Sequence, residues 1–396
     1  MLNENQRDIT VLCRVVDNFG DIGFCWRLSR SLLEVCPEIS LRLVVSDLAS
    51  FSALDNRIDA SKSVQSVSGI EVFDWNDAER CKKAFGEKPP RVVLECFQCG
   101  RPDWLEEILF YGEREDIAHI INVEYLTAED WADEFHCLKS ATRSKFVKKV
   151  NFMPGFSKKT GGLVLDKSFM QSLSEREYAK SLLQKEANIE VNDDDFNVVV
   201  FSYERDFTPV VRALSALAEN LAKKKGKRVR VFLTEGKSRK SFLGAIEKEV
   251  AEKKETAPFL LTKLPFLTQS TWDALLTLCD FNFVRGEDSM ARACLCGVPF
   301  VWHAYPQEAQ WQTVKVNALM KKMALYFSDS TAAVYAEFMR EYNKDNADNE
   351  KQEALLEKIF SSYDEIKSGV EKFSKEIIQN GNLAENLVNF IAGLQF

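Results

Sequence analysis

Short, nearly continuous apolar runs alternate with amphipathic stretches along most of this chain. ITVLCRVV (Ile9 to Val16) and LRLVVSD (Leu41 to Asp47) have the pattern of strands buried on both faces. A helix beginning near Asp21 separates them, and RVVLECF (Arg91 to Phe97) and AHIINVEYL (Ala118 to Leu126) supply later strands. Residues 156–195 break the rhythm with SKKTGG, the charged helix SEREYAKSLLQKEA and the acidic run NDDD, and read as a connection. A second series follows. FNVVVFSY, RVRVFLTEG, PFLLTKLPFL, DFNFV and VPFVWHAYP are strands, and TPVVRALSALAENLAKKK is a helix with Pro209 in its first turn. TQSTWDALLTLC is a further helix, and after about Asp329 the pattern is almost purely helical. The alternation predicts an α/β chain built from two facing α/β domains. The expected limits are 1–155 for the first domain, 156–195 for the connection and 196–345 for the second domain. Helices over 346–396 are expected to pack back toward the first.

Composition narrows the class. At 45% hydrophobic and 28% charged, the chain has the balance of a soluble globular protein with two cores. No apolar run reaches bilayer length, and the polar start MLNENQRDIT predicts no signal peptide and no membrane partner. Ten scattered cysteines read as reduced thiols of a cytoplasmic protein. The Cys96–Cys99 and Cys294–Cys296 pairs lack partners at zinc-site spacing and read as small buried residues. A formal charge of −8 predicts no direct nucleic-acid partner, and AKKKGKRVRV (Ala222 to Val231) reads as a solvated helix end entering a strand.

Two segments carry candidate chemistry. In CDFNFVRGEDS (Cys279 to Ser289) a strand delivers the chain to a helix expected to begin at Asp288 or Ser289. The unpaired N–H groups of such a first turn suit a phosphate or diphosphate, and Arg285 adds a charge-assisted fork. Glu287 would repel phosphate and suits a ribose diol; Asp288 or Ser289 also suits a plain helix cap. Phe201, Phe266 and Trp272 fall at strand ends or the loops after them, where open α/β sheets bind ligands, and as a set fit a base pocket. Each alone is equally an ordinary core residue. Tyr203 offers a hydroxyl at the same edge.

The second segment is DNFGDIG (Asp17 to Gly23). A dinucleotide loop needs G-x-G-x-x-G, whereas here Asp17 and Asp21 stand where a pyrophosphate would sit. Asp47, ending the next strand, imitates the ribose-binding acid of an NAD-dependent oxidoreductase, but the paired acids oppose that reading. They suit a cationic or weakly acidic nucleophile. The histidines are His119, His136 and His303, none in this loop, so the acids are the candidate bases. Asp21 capping the helix and Asp17 ordering the loop is the plain alternative.

DNFGDIGFCWRL, LPFLTQ, CDFNFVRGEDS and GVPFVWHAYPQ together resemble the EarP family of protein-arginine rhamnosyltransferases, which modify bacterial translation elongation factor P. The resemblance implies a GT-B glycosyltransferase with its active site in the interdomain cleft. It implies dTDP-β-L-rhamnose as donor, an arginine of elongation factor P as acceptor, inversion at the anomeric carbon, and no metal or other cofactor. On the matching positions, Asp21 is similar to the general base and Asp17 to its companion. Arg285, Asp288 and Ser289, with Tyr203, correspond to diphosphate contacts. By the same resemblance Phe201, Phe266 and Trp272 would form the thymine pocket, Glu287 would support the site at the ribose or loop, and Gln269 would belong to the nucleotide-sugar site. Free guanidinium and carboxylate differ by roughly 9 pKa units, about 12 kcal/mol, which excludes proton removal before attack. The carboxylates would instead orient the guanidinium and take its proton as the C–N bond forms. The residues alone leave open a GT-B enzyme for another sugar or small acceptor, and a non-catalytic sugar-nucleotide-binding partner of the factor.

Overall fold

Asp8–Cys13 (β1) is buried at every position, which only a strand covered on both faces tolerates. It is the centre of an eight-stranded sheet in the computed structural model, which describes residues 2–16, 18–112 and 115–396. The other strands are Ser40–Val45 (β2), Val64–Val67 (β3), Ile70–Asp74 (β4), Val92–Cys96 (β5), Ala118–Val123 (β6), Lys139–Ser140 (β7) and Val147–Phe152 (β8). Their spatial order is β3-β4-β2-β1-β5-β6-β8-β7, parallel from β4 to β8, with β3 and β7 antiparallel at the edges. Alternate residues feed opposite cores. Val11, Leu43 and Leu94 pack on one face with Trp26 and Leu28, while Leu12, Val44 and Val93 pack on the other with Phe85 and Trp104.

The second sheet is wholly parallel. Phe196–Val200 (β9), Val229–Leu233 (β10), Leu260–Lys263 (β11), Phe281–Arg285 (β12) and Phe300–His303 (β13) lie in the order β11-β10-β9-β12-β13. In each sheet the chain runs outward on one side of its first strand and then resumes on the other side. That reversal creates a switch point between β1 and β5 in the first sheet and between β9 and β12 in the second.

The chain divides into two units, one reaching Lys167 and including Ile377–Phe396, the other Ser168–Glu376. The 156–195 segment is therefore shared, its first twelve residues falling with the first unit. The helical end divides too. Leu355, Leu356 and Ile359 are buried in the second unit, whereas Leu383, Leu387 and Ile391 enter the core around Trp26. An amphipathic pattern shows that a helix has an apolar face but not which core receives it. Among the described residues no helix is long and apolar enough to cross a membrane.

The return of the last helix, Leu383–Ala392, depends on glycine. The Leu383 N–H donates to the Leu163 carbonyl at 2.8 Å. Gly162 beside it has φ +77°, and a Cβ there would lie 2.4 Å from the Gly381 carbonyl oxygen. Gly162→Ala is expected to destabilise the first unit by about 2–4 kcal/mol, through left-handed strain and overpacking together. A fall in the urea midpoint with unchanged slope would show it; an unchanged midpoint would mean that the terminal helix yields.

Candidate active site at two strand-end edges

In the first unit the chain leaves β1 and enters the helix Asn18–Val35, whose start is three residues before the expected position. Gly20 and Gly23 therefore lie inside helix rather than in a loop, and Asp21 sits in the first turn instead of capping it. The cause is local: the Val16 N–H donates to Asp21 Oδ2 at 2.8 Å, pinning the entering chain. Asp21 is only 3% exposed, and its other oxygen, Oδ1, accepts from the Tyr125 hydroxyl at 3.1 Å. The positive end of the helix dipole favours its charge. Asp17 lies outside the described residues.

Tyr125 follows β6 and has no signal in the linear pattern. Its ring stacks on Phe97 (centroids 4.0 Å apart, 13° between planes), and Phe97 meets Phe24 at 5.1 Å. Phe97 and Gln98, the two residues after β5, both adopt left-handed backbone, with φ of 60° and 51°. Such conformations cost on the order of 1–3 kcal/mol each and persist where surroundings hold them. Here the ring stack holds Phe97, and the Gln98 N–H donates to Asn122 Oδ1 at 3.1 Å. The strained turn thus sits at the β1–β5 switch point and seats the tyrosine that holds Asp21. Asp47 is engaged elsewhere: it caps the helix Leu48–Leu54, accepting from the Ala49 and Ser50 N–H groups at 3.0 Å. Hydrogen bonds from Ser50 hold its carboxyl below the usual range.

In the second unit, β12 ends at Arg285 and the helix Glu287–Cys296 begins one residue earlier than the expected Asp288. The cap is Gly286, at φ 68° and ψ 169°, with no side-chain bond, so neither Asp288 nor Ser289 caps this helix. Glycine takes this backbone without the Cβ penalty, and the helix that follows starts with the N–H groups of its first turn directed outward. The Trp302 indole N–H donates to the Gly286 carbonyl at 3.1 Å, fixing the turn from β13.

Arg285 lies over two rings at once, 4.6 Å from the Phe201 centroid and 4.7 Å from that of Tyr203. Both residues follow β9, across the switch point. No carboxylate among the described residues pairs with Arg285, so its charge is held by π faces alone. A Cβ built on Gly286 would lie 3.9 Å from the Tyr203 hydroxyl, which places that hydroxyl beside the helix start. Phe201 meets Trp272 edge-on at 5.1 Å. The Trp272 Nε1–H is buried without a hydrogen-bond partner among the described residues. Phe266 stands on the loop after β11 with its ring half in solvent, and Gln269 opens the helix Gln269–Leu278. Glu287 pairs with Lys315 at 3.0 Å. The structure therefore gathers Phe201, Tyr203, Trp272 and Arg285 by contact and sets Asp288 and Ser289 on the adjoining turn.

Two doubly wound units of this kind are the GT-B fold, the architecture of a large class of glycosyltransferases. The sequence model of the family described as "Elongation-Factor P (EF-P) rhamnosyltransferase EarP" matches residues 9–392. The chain belongs to the EarP family. The protein-arginine rhamnosyltransferase of Shewanella oneidensis is 30% identical over 96% of each chain. The solved structure that gives the structural basis for EarP-mediated arginine glycosylation of translation elongation factor EF-P matches with a TM-score of 0.56 at 20% identity. It covers 97% of this chain and 98% of that one. A glycosyltransferase from Rickettsia africae matches at TM-score 0.51 and 10% identity, over 98% of this chain and 99% of that one. At such identities the two structures speak for the fold alone.

Proposed function

We propose that this protein moves L-rhamnose from dTDP-β-L-rhamnose to an arginine side chain of translation elongation factor P, with inversion at the anomeric carbon and without a metal ion. The observation that carries the donor half is Arg285, its guanidinium over the rings of both Phe201 and Tyr203, at the start of a glycine-capped helix. A guanidinium and a row of first-turn N–H groups supply the charge stabilisation that a departing diphosphate needs. Phe201, Phe266 and Trp272 seat the thymine, and the buried Trp272 Nε1–H offers its carbonyls a donor. Gln269, Glu287, Asp288 and Ser289 complete the contacts to the nucleotide sugar.

Asp21 acts on the acceptor, with Asp17 as its companion. Anchored at both oxygens, it orients the acceptor guanidinium and takes a proton as the new C–N bond forms. The arginine nitrogen gains the sugar, the anomeric C–O bond breaks, and dTDP leaves with the electron pair. The reaction belongs to the cytoplasm, where the translation factor works.

Intact-mass spectrometry of elongation factor P after incubation with this protein and dTDP-β-L-rhamnose tests the whole reading. One added deoxyhexose on a single arginine is the expected result. An unchanged mass with dTDP still bound would reject the acceptor, and an unchanged mass without dTDP binding would reject the donor site as well.

A further inference from the structure

His303 ends β13 in register with Arg285 on β12, and it is only 7% exposed. Nothing in the sequence pattern assigns it a role. Its ring meets Tyr203 edge-on at 5.3 Å and Tyr342 at 5.4 Å. Nδ1 lies 2.8 Å from Ser202 Oγ, which lies 3.1 Å from the Tyr342 hydroxyl.

Proton counting settles the tautomer. Burial, with Arg205 and Arg285 nearby, pushes the imidazole pKa down to about 3, so the ring is neutral and carries one N–H. The Tyr342 hydroxyl is buried and lies within hydrogen-bond reach of Ser202 Oγ. If Tyr342 donates to Ser202, the serine proton is directed to Nδ1, and every proton in the chain has an acceptor. The reverse direction would leave the tyrosine proton without one, at a cost of about 1–3 kcal/mol. Nδ1 is therefore the acceptor and Nε2 carries the hydrogen. Among the described residues Nε2 has no hydrogen-bond partner. Nε2 is not sealed from solvent, so on a side chain otherwise this deeply held its N–H is the part left open to a ligand.

We propose that His303 is a neutral diphosphate-binding group, donating its Nε2–H to a phosphate oxygen of the nucleotide sugar whose charge Arg285 offsets. This rests on the donor-site reading above. A second cation beside Arg285 would have to be desolvated alongside it, whereas a neutral donor adds a directed bond without added charge repulsion. Ser202 and Tyr342 fix the ring so that the bond is preorganised.

The test is calorimetric titration of thymidine and dTDP, and steady-state kinetics with dTDP-β-L-rhamnose, on the wild type, His303→Leu and His303→Gln. Glutamine keeps an amide N–H near the Nε2 position. His303→Leu should weaken dTDP by about tenfold or more and leave thymidine within about twofold, while His303→Gln stays within about threefold for both. Equal weakening of thymidine and dTDP would overturn the proposal in favour of a packing role. So would undiminished dTDP binding in His303→Leu, even if the KM for the sugar nucleotide rose, since the bond would then belong to the sugar. Wild-type protein that binds neither nucleotide would overturn the donor site itself, a failure distinguishable from that of His303.

Discussion

Asp21→Asn is expected to lower kcat by about a thousandfold while leaving dTDP affinity within about twofold. Asparagine keeps the size of the side chain and an oxygen able to accept from either the Val16 N–H or the Tyr125 hydroxyl. It lacks the charge that draws a guanidinium and the basicity to receive a proton. The loss therefore falls on the chemical step. On the proposed assignment the proton cannot leave first, because the free groups differ by about 12 kcal/mol, and the carboxylate acts within the bond-forming event. Its placement then matters as much as its charge, since misplacement of about 1 Å can cost a hundredfold. Tyr125→Phe removes the anchor on Oδ1 and should cost kcat about tenfold. Mass-spectrometric time courses beside dTDP titrations measure both. If Asp21→Asn lost nucleotide affinity before turnover, the assignment of this edge to the acceptor would be wrong.

How much of this was legible in the chain follows from the reach of each interaction. The strands were, because burial on both faces leaves runs such as Val92–Leu94 without polar interruption. Arg285 and Phe201 stood out too, since one ends β12 and the other directly follows β9, whereas Trp272, expected at a strand end or the loop after it, lies inside the helix Gln269–Leu278 and reaches Phe201 from there. Gly286 as the cap was not. Asp288 and Ser289 are strong capping types, and only the backbone shows that the turn is tighter and begins earlier. Phe97 and Gln98 are poor candidates for left-handed backbone on residue type, so their strain is invisible without tertiary support. Tyr125 lies more than a hundred residues from Asp21 and meets it only because β6 lies beside β5, itself beside β1. His303 has no signal of its own in the strand VPFVWHAYP, and only its register with Arg285 sets it at the edge.

Arg285→Ala should weaken dTDP by about a hundredfold and raise the KM for the sugar nucleotide in proportion. Two causes add. The diphosphate loses its charge-assisted fork, and Phe201 and Tyr203 lose the planar cation that spans them. Arg285→Lys restores charge but neither the fork nor the plane, so it should recover no more than about a tenth of the lost affinity. Thymidine, which carries no phosphate, should lose far less than dTDP in both variants, and the wild-type advantage for dTDP should shrink as salt rises. Full recovery in Arg285→Lys would mean that net charge suffices and that the stacking geometry is incidental to binding. Equal losses for thymidine and dTDP would mean that Arg285 holds the aromatic pocket together rather than the phosphates. The two substitutions also divide the reaction between its halves. Asp21→Asn should act on kcat at constant nucleotide affinity, and Arg285→Ala on nucleotide affinity first. A site in which either change moved both quantities equally could not assign the guanidinium acceptor to one edge and the diphosphate to the other.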